Sequence, residues 1–490
     1  MKVSIVTEGF PDTGYGHITR CLSLYQAFEE RNISPVLYIN GDGNAKAFLG
    51  NANFKLMNWL GRPTQLLTEV RNSDILIIDS YLAGKDYYEN LSKLAKISLF
   101  IDDNLRIDYP EGIILNGTIN AETFAYRKMP GREYLLGSKY IPIRKEFWNV
   151  PQRKFHPHIG SVLITFGGQD NRNLTPSVIK TLEDSLPGIN KNIVIGTGFQ
   201  HMEEIEKLSG KTVNILFSLD AGKMLEVMLS SDIAISAAGQ TLYELAASGT
   251  PTIAVGTADN QRNNINEWKK RGFLIDPIYY NDINLLKKIA SQVETLKSIS
   301  LRKKTASIGR ENVNGQGSRK IIEFILEKYC SKNLFYLRRA VKEDSRLVYS
   351  LSNDPSVRRQ SISKEQITWD EHLNWFEKKI LDEEHIFLLA FDKKGNFIGQ
   401  IRFQIENNAA VVSISIADQF RGKGFSKKML VQASQRVFRE KNRVNSILAF
   451  IKPDNDASIN AFKSAKFQYV REEEISSVVF SKYVLERDVL

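Results

Sequence analysis

This 490-residue chain predicts two doubly wound α/β lobes followed by a third α/β domain of different pattern. Three observations carry the prediction. Near the start, the β-rich run Val3-Ser4-Ile5-Val6 leads to Gly14-Tyr15-Gly16-His17-Ile18-Thr19-Arg20. Cys21, Leu22, Leu24, Tyr25 and Phe28 then recur at helical spacing, so the order is strand, glycine turn, helix. The same order restarts at Val162–Phe166 with Gly167-Gly168. From about residue 335, alternating strands replace the continuous apolar runs. The expected domains are 1–150, 151–330 and 335–490.

In the first domain, Pro35–Ile39, Asp74–Asp79, Ile97–Asp103 and Ile113–Asn116 are short apolar runs ending in polar residues, the pattern of buried parallel strands. Ligands of open α/β sheets bind beyond the carboxyl ends of the strands. Asp79, Asp102, Asp103 and Asn116 therefore share an edge with the Gly14–His17 turn. Two glycines let the backbone approach a ligand closely, and the helix start offers N–H groups to a phosphate. His17, at that mouth, suits a general base on water, or merely caps the helix. Asp102 and Asp103 either orient His17 or a sugar hydroxyl, or terminate a strand. For Asp79 the strand-terminating role is the better reading.

Pro151, Arg153-Lys154 and Pro157 mark a hinge-like segment before the second domain. There, Asp232–Ile235 leads into Ser236-Ala237-Ala238-Gly239-Gln240-Thr241-Leu242-Tyr243-Glu244, small residues opening a helix. Thr241 is placed to cap that helix, whose N–H groups would face a diphosphate. Glu244 either completes a capping box or accepts ribose hydroxyls. Asn260-Gln261 falls in a later strand-to-helix loop.

Beyond Lys320–Tyr329, a helix, Ser331-Lys332-Asn333 reads as a linker. Phe335–Arg338 is a strand, and Ile386–Phe391 and Phe397–Phe403 form a hairpin about Lys394-Gly395-Asn396. The strand Val411–Ile416 runs into Gln419-Phe420-Arg421-Gly422-Lys423-Gly424-Phe425-Ser426 at a helix start, where glycines and cations suit a pyrophosphate.

Composition bounds the function. Hydrophobic residues at 42% and charged residues at 25% are those of a globular protein with full cores. No apolar run reaches the length of a membrane span, and the first residues lack a signal peptide's apolar block. Two cysteines without metal-ligand spacing fit buried thiols in a reducing cytoplasm. The net charge of +10 is spread along the chain without a nucleic-acid signature, and fits phosphate-bearing substrates. Its densest runs, Arg302-Lys303-Lys304 and Lys427-Lys428, are expected on solvated helix faces.

The GYGHITRC segment, with Ile101-Asp102-Asp103, Leu136-Gly137-Ser138-Lys139-Tyr140, Phe166-Gly167-Gly168, Ala238-Gly239-Gln240-Thr241-x-x-Glu244 and Asn260-Gln261, resembles the UDP-sugar hydrolases of pseudaminic acid biosynthesis. The resemblance spans the first two-thirds of the chain. It implies the two-lobed glycosyltransferase-B fold and removal of UDP from a 2,4-diacetamido-2,4,6-trideoxy sugar with inversion. It implies His17 as the water-activating base, with Gly239, Gln240, Thr241 and Glu244 holding UDP. Gly14, Tyr15, Gly16, Arg20, Asp102, Asp103, Asn260 and Gln261 complete the expected substrate site. The family's Arg-x-Asp at the end of strand one is Val6-Thr7-Glu8 here, making Glu8 a candidate acidic partner.

The Gln419–Ser426 loop, with Asn455-x-x-Ser458-x-x-x-Phe462-x-x-Ala465-x-Phe467, resembles the GNAT superfamily of N-acetyltransferases. That implies acetyl-CoA, held by residues 419–426 and Asn455, in a splayed strand pair. The strand before the loop carries Ser413 and Ser415 where many members have a glutamate base, and Phe462 stands where many have a tyrosine. His372 and Glu406 are alternative proton carriers, although His372 reads as a packed helix residue. Glu371-His372-x-x-Trp375 is also similar to the amine acetyltransferase of the same pathway. Taken together, the resemblances imply 4-N-acetylation of a UDP-linked trideoxy amino sugar, then loss of UDP. No metal, nucleic acid or membrane partner is expected. The alternative is a UDP-sugar glycosyltransferase with an appended acetyltransferase or acetyl-CoA-sensing domain.

Overall fold

The computed structural model describes residues 1–10, 14–196, 198–199 and 202–489. It separates into two compact units, residues 2–30 with 34–322, and residues 1, 31–33 and 323–490.

The larger unit holds two parallel sheets. The first contains β1 (Val3–Gly9), β2 (Val36–Gly41), β3 (Phe54–Leu56), β4 (Ser73–Asp79), β5 (Ala95–Ile101), β6 (Gly112–Asn116) and β7 (Arg132–Leu136), in the order 3-2-1-4-5-6-7. The second contains β8 (Ser161–Thr165), β9 (Asn190–Ile195), β10 (Val213–Phe217), β11 (Ile233–Ala237), β12 (Thr252–Gly256) and β13 (Ile278–Tyr279). Its order, 10-9-8-11-12-13, repeats the first. Strand order therefore reverses beside β1 in one lobe and beside β8 in the other, and such switch points open the crevices where ligands bind. The Gly14–His17 turn follows β1 and lies beside the end of β4. Gly167-Gly168 follows β8 and lies beside Gly239-Gln240 at the end of β11. All seven residues of β1 and of β4 are buried, as two-sided cover requires.

Two charge and linker expectations are corrected. Arg302 is fully buried, its Nη2 donating to the carbonyls of His156 (2.9 Å) and Pro157 (3.0 Å), while Lys303 and Lys304 stay exposed. The hinge-like segment is strapped rather than loose. Arg153 donates to Ser231 O at 2.6 Å and Thr250 Oγ1 at 2.7 Å, and Arg310 to the carbonyls of Val150 and Pro151. Burial pulls the Arg153 guanidinium down to about 10. The rigid guanidinium fork suits these straps, because its several donors hold separate acceptors in fixed directions.

The smaller unit has one mixed sheet of β14 (Tyr336–Arg339), β15 (His385–Phe391), β16 (Phe397–Glu406), β17 (Ala409–Ile416), β18 (Ser446–Ile451), β19 (Gln468–Ile475) and β20 (Val478–Glu486). Its order is 14-15-16-17-18-20-19. The parallel pair β17–β18 is joined only from Ala409↔Ser446 to Val411↔Leu448, and past that point the two strands part. The expected 331–333 linker is instead the last turn of the helix Gly317–Asn333. The helix stops at Leu334, whose φ of 67° no helix accommodates.

Candidate active sites

In the first lobe, Gly14 takes φ 78° with nothing within 4 Å of where a Cβ would stand, so the chain turns there at no steric cost. Tyr15 precedes the helix Gly16–Glu29 without a side-chain cap, its ring stacked on Phe48 and its hydroxyl donating to Asp42 (3.2 Å). His17 is 6% exposed. Its Nδ1 lies 2.7 Å from Asp79 Oδ1, against which the strand register sets it: Thr7 of β1 pairs with Asp79 of β4. A carboxylate only accepts, so Nδ1 carries the proton and Nε2 is left with the lone pair.

Arg20, one helical turn on, doubles the pairing. Its Nε donates to Asp79 Oδ2 (2.5 Å), its Nη2 to Asp79 Oδ1 (2.6 Å) and its Nη1 to Asp103 Oδ2 (3.1 Å). Arg20 Nη2 also comes within 2.9 Å of His17 Nδ1. With both nitrogens protonated, that proximity reflects the shared Asp79 oxygen rather than a bond. Burial alone would raise the Asp79 carboxyl, but Arg20 first and His17 second hold it well below the usual carboxylate range. Tyr81 stands edge-on to the His17 ring at 4.4 Å and donates to Asp103. Burial, then Asp103, pushes its hydroxyl far up, so it stays a donor.

Several expected residues play other parts. Asp79 is the acidic partner of His17, not a strand cap. Glu8 instead accepts from Ser80 Oγ, Tyr81 N (2.6 Å) and Leu82 N (3.1 Å), holding the loop that carries Tyr81. Asp102 is 2% exposed and accepts from the amides of residues 104–106 and the hydroxyls of Tyr109 and Tyr126. It shapes the loop that follows β5. Asp103 keeps Oδ1 without a partner among the described residues, an acceptor left for a hydroxyl.

In the second lobe, the helix Gln240–Ser248 begins at Gly239 with no side-chain cap. Thr241 lies inside the first turn and forms no capping box with Glu244. Glu244, 3% exposed, binds Arg144 through two parallel bonds of 2.6 and 2.7 Å. Of three consecutive residues, the outer two join the lobes. Pro142 O accepts from Gln240 Nε2 (2.7 Å), Ile143 O from Ser23 of the His17 helix, and Arg144 holds Glu244. Tyr243 adds a third tie between the lobes, accepting from Ile119 N (3.1 Å) and donating to Asn264 Oδ1 (2.6 Å). Gln261 Oε1 accepts from Thr257 N (2.9 Å), shaping its loop, and Asn260 is exposed. Replacing Glu244 with alanine leaves the half-buried Arg144 without its carboxylate. The unfolding free energy measured by denaturant titration is expected to fall by about 3 kcal/mol.

In the smaller unit, Gly422 (φ 70°) and Gly424 (φ 78°) bracket a turn with open space around both, and the helix Phe425–Glu440 starts there without a side-chain cap. Gln419 and Lys423 are exposed and Ser426 is half-buried. Uncapped amides above an open, cationic loop beside the parted strands fit the pyrophosphate and arm of acetyl-CoA. Arg421 is engaged by Ile416 O (2.9 Å), Asp418 (3.1 Å) and Asp354 (3.1 Å), so it braces the loop. Phe420 and Phe425 pack edge to face at 5.6 Å. Asn455 caps the helix Asp456–Ser464, accepting from Ser458 N (3.1 Å), so its carbonyl oxygen serves the fold. Gly424→Ala would force a side chain into left-handed backbone at a cost of about 1 kcal/mol. The expected result is a several-fold weaker affinity for acetyl-CoA, measured by calorimetric titration of the intact chain.

His372 is 1% exposed, donates through Nε2 to Ser345 O (2.8 Å) and stacks on Phe376. It is a packed residue, and burial lowers its pKa. Glu406 sits at the hairpin end of β16 paired with Ala409, the far end of β17 from the glycine loop. Phe462 is 4% exposed against Phe467 and supplies no acid.

Among the described residues, no cluster of three or more His, Cys, Asp or Glu side chains is arranged to hold a metal, and no helix is long and apolar enough to cross a membrane. Residues 335–468 match the acetyltransferase (GNAT) domain, and residues 161–323 the glycosyltransferase family 28 C-terminal domain. The chain is 31% identical over 276 residues to a Helicobacter pylori pseudaminic acid cytidylyltransferase and UDP-2,4-diacetamido-2,4,6-trideoxy-beta-L-altropyranose hydrolase, covering 56% of this chain and 47% of that protein. The match thus spans about half of that relative. An uncharacterized protein of Methanocaldococcus jannaschii is 25% identical, over 86% of this chain and 87% of its own. The Bacillus subtilis spore coat polysaccharide biosynthesis protein SpsG is 23% identical, over 67% of this chain and 99% of its own. The chain is therefore a mixed α/β protein with parallel Rossmann-like sheets, a glycosyltransferase family 28 C-terminal domain and a C-terminal GNAT acetyltransferase domain.

Proposed function

We propose that the chain is a bifunctional sugar-nucleotide enzyme. Its acetyltransferase domain acetylates the amino group of a UDP-linked 4-amino-4,6-dideoxy sugar. Its two-lobed unit then removes UDP from the resulting diacetamido sugar, as in pseudaminic acid biosynthesis. The observation that carries the hydrolase half is the buried Asp79–His17 pair, which leaves Nε2 as a base at a switch point.

In the hydrolytic step, His17 Nε2 takes a proton from water as the water oxygen bonds the anomeric carbon. The bond from that carbon to the diphosphate oxygen breaks from the opposite face, giving inversion, and UDP leaves. Asp79 stabilises the imidazolium that forms. Asp103 Oδ1 accepts from a sugar hydroxyl. The uncapped first turn at Gly239, Gln240 and Thr241 receives the diphosphate. In the acetyl step, the uncharged amine bonds the thioester carbonyl carbon, and the carbon–sulfur bond breaks to release CoA thiolate, which takes up a proton from solvent. Ser413 and Ser415 supply no general base, so a water carries the amine's proton to solvent. Joining both activities in one chain raises the local concentration of the shared intermediate.

A mass-spectrometric time course on the UDP-linked amino sugar tests this. With acetyl-CoA, an acetylated intermediate followed by free sugar and UDP is expected; without it, neither. The glycosyltransferase family 28 match favours one second reading, transfer to an acceptor. UDP release that requires an added acceptor, rather than water alone, selects that reading.

A further inference from the structure

The two faces of the C-terminal sheet differ. Ile401, Phe403 and Ile405 of β16 pack into the core with Met429, Leu430 and Ala433. The alternate residues Gln400, Arg402 and Gln404 face the other way. In register with them stand Leu389, Phe387 and His385 of β15, and Ser415, Ser413 and Val411 of β17. Ser413 and Ser415 lie past the last β17–β18 pair, where the strands have parted.

Arg402 is unusual on this face. Its guanidinium sits 4.9 Å from the Trp375 ring centre and 5.9 Å from that of Phe387, and Nη2 donates to Ser413 Oγ at 3.2 Å. Among the described residues no carboxylate pairs with it. Burial pulls it down to about 10, with no anion to restore it. Lys379, donating to Gln404 Oε1 at 2.6 Å, adds positive charge; its carboxylate Asp382 is 3.6 Å away. Two further groups lack partners: Gln400 Oε1, on a residue 2% exposed, and His385 Nδ1, on a residue 6% exposed. Buried polar atoms are rarely left unmatched, so Gln400 Oε1, one register from the uncompensated Arg402 and beside the parted strands, marks a place for a ligand.

We propose that Arg402 binds an oxyanion of the amine acceptor while Gln400 Oε1 accepts from an N–H or O–H of the same molecule. The domain thereby selects anionic amines and repels polyamines. This rests on the acetyltransferase reading above. A diphosphate and a sugar carboxylate share the required chemistry.

The test is thiol release from acetyl-CoA by the intact chain with four acceptors: the UDP-linked amino sugar, the same amino sugar without nucleotide, an amino sugar bearing a carboxylate, and spermidine. Wild type is expected to favour an anionic acceptor over the neutral one by about tenfold or more, the worth of one charge-assisted hydrogen bond. Whether the nucleotide or the carboxylate gives that gain identifies the anion. Arg402→Gln should remove the preference through KM, leaving KM for acetyl-CoA and the neutral acceptor within about twofold, and Arg402→Lys should restore part of it. Equal losses for anionic and neutral acceptors, or spermidine as the best wild-type acceptor, overturn the assignment alone. Acetylation of none of the four overturns the acetyltransferase reading with it.

Discussion

His17→Ala is expected to lower the rate of UDP release from the diacetamido sugar nucleotide by about 10²–10⁴-fold, the usual worth of a positioned general base. The loss should fall on kcat, because His17 meets the water rather than the nucleotide. Acetyl transfer to the amino sugar should be unchanged, since it belongs to the other unit. Stopped assays by mass spectrometry read both products at once. UDP release within about threefold of wild type would remove His17 from the chemistry. His17→Gln keeps a polar group of similar size and should be as inactive as alanine, which separates lost basicity from lost packing.

Asp79→Asn should have a comparable effect by a different route. The carboxylate fixes the proton on Nδ1, and an amide can donate there and favour the wrong tautomer, a change that costs on the order of 10³–10⁴-fold in related acid–histidine pairs. It also strands Arg20, which is largely shielded and has two of its donors on Asp79. Stability should drop by about 3–5 kcal/mol, as when one partner of a buried ion pair is removed. The pH dependence has a definite sign. The folded Asp79 carboxyl lies below its unfolded value, so its stabilisation is complete above about pH 4 and is lost as pH falls further. Wild type should therefore lose stability to acid more steeply than Asp79→Asn, as followed by thermal unfolding between pH 5 and 2. Parallel slopes would mean that Asp79 is not held ionised by Arg20 and His17.

Much of the scaffold was legible from local pattern. Continuous apolar runs located β1, β2, β4, β5, β6, β8 and β11, because a strand covered on both faces has no polar alternation to blur it. Less legible were β7 (Arg132–Leu136) and β10 (Val213–Phe217), whose burial is partial or mixed and whose sequences carry polar residues. The glycine loops stood out because left-handed backbone, as at Gly14, Gly167, Gly422 and Gly424, costs glycine nothing. Tyr81, Arg144 and Tyr243 were invisible as site residues. Each acts through a partner far along the chain, and no spacing records that.

The sequence by itself determined where chemistry can occur: a histidine at a helix start after a first strand, an open helix start at Gly239, and a glycine loop before Phe425. These are local, and backbone geometry within a few residues decides them. Only the tertiary structure decided which partners complete each site. The strand order 3-2-1-4 brings Asp79 beside His17 across 62 positions and sends Glu8 to the next loop instead. The same kind of decision buries Arg302 among carbonyls and leaves Arg402 among aromatic rings without a carboxylate. A charged side chain's role depends on what the fold packs around it, because desolvation and counter-charge, not residue type, set whether it braces, titrates or waits for a ligand.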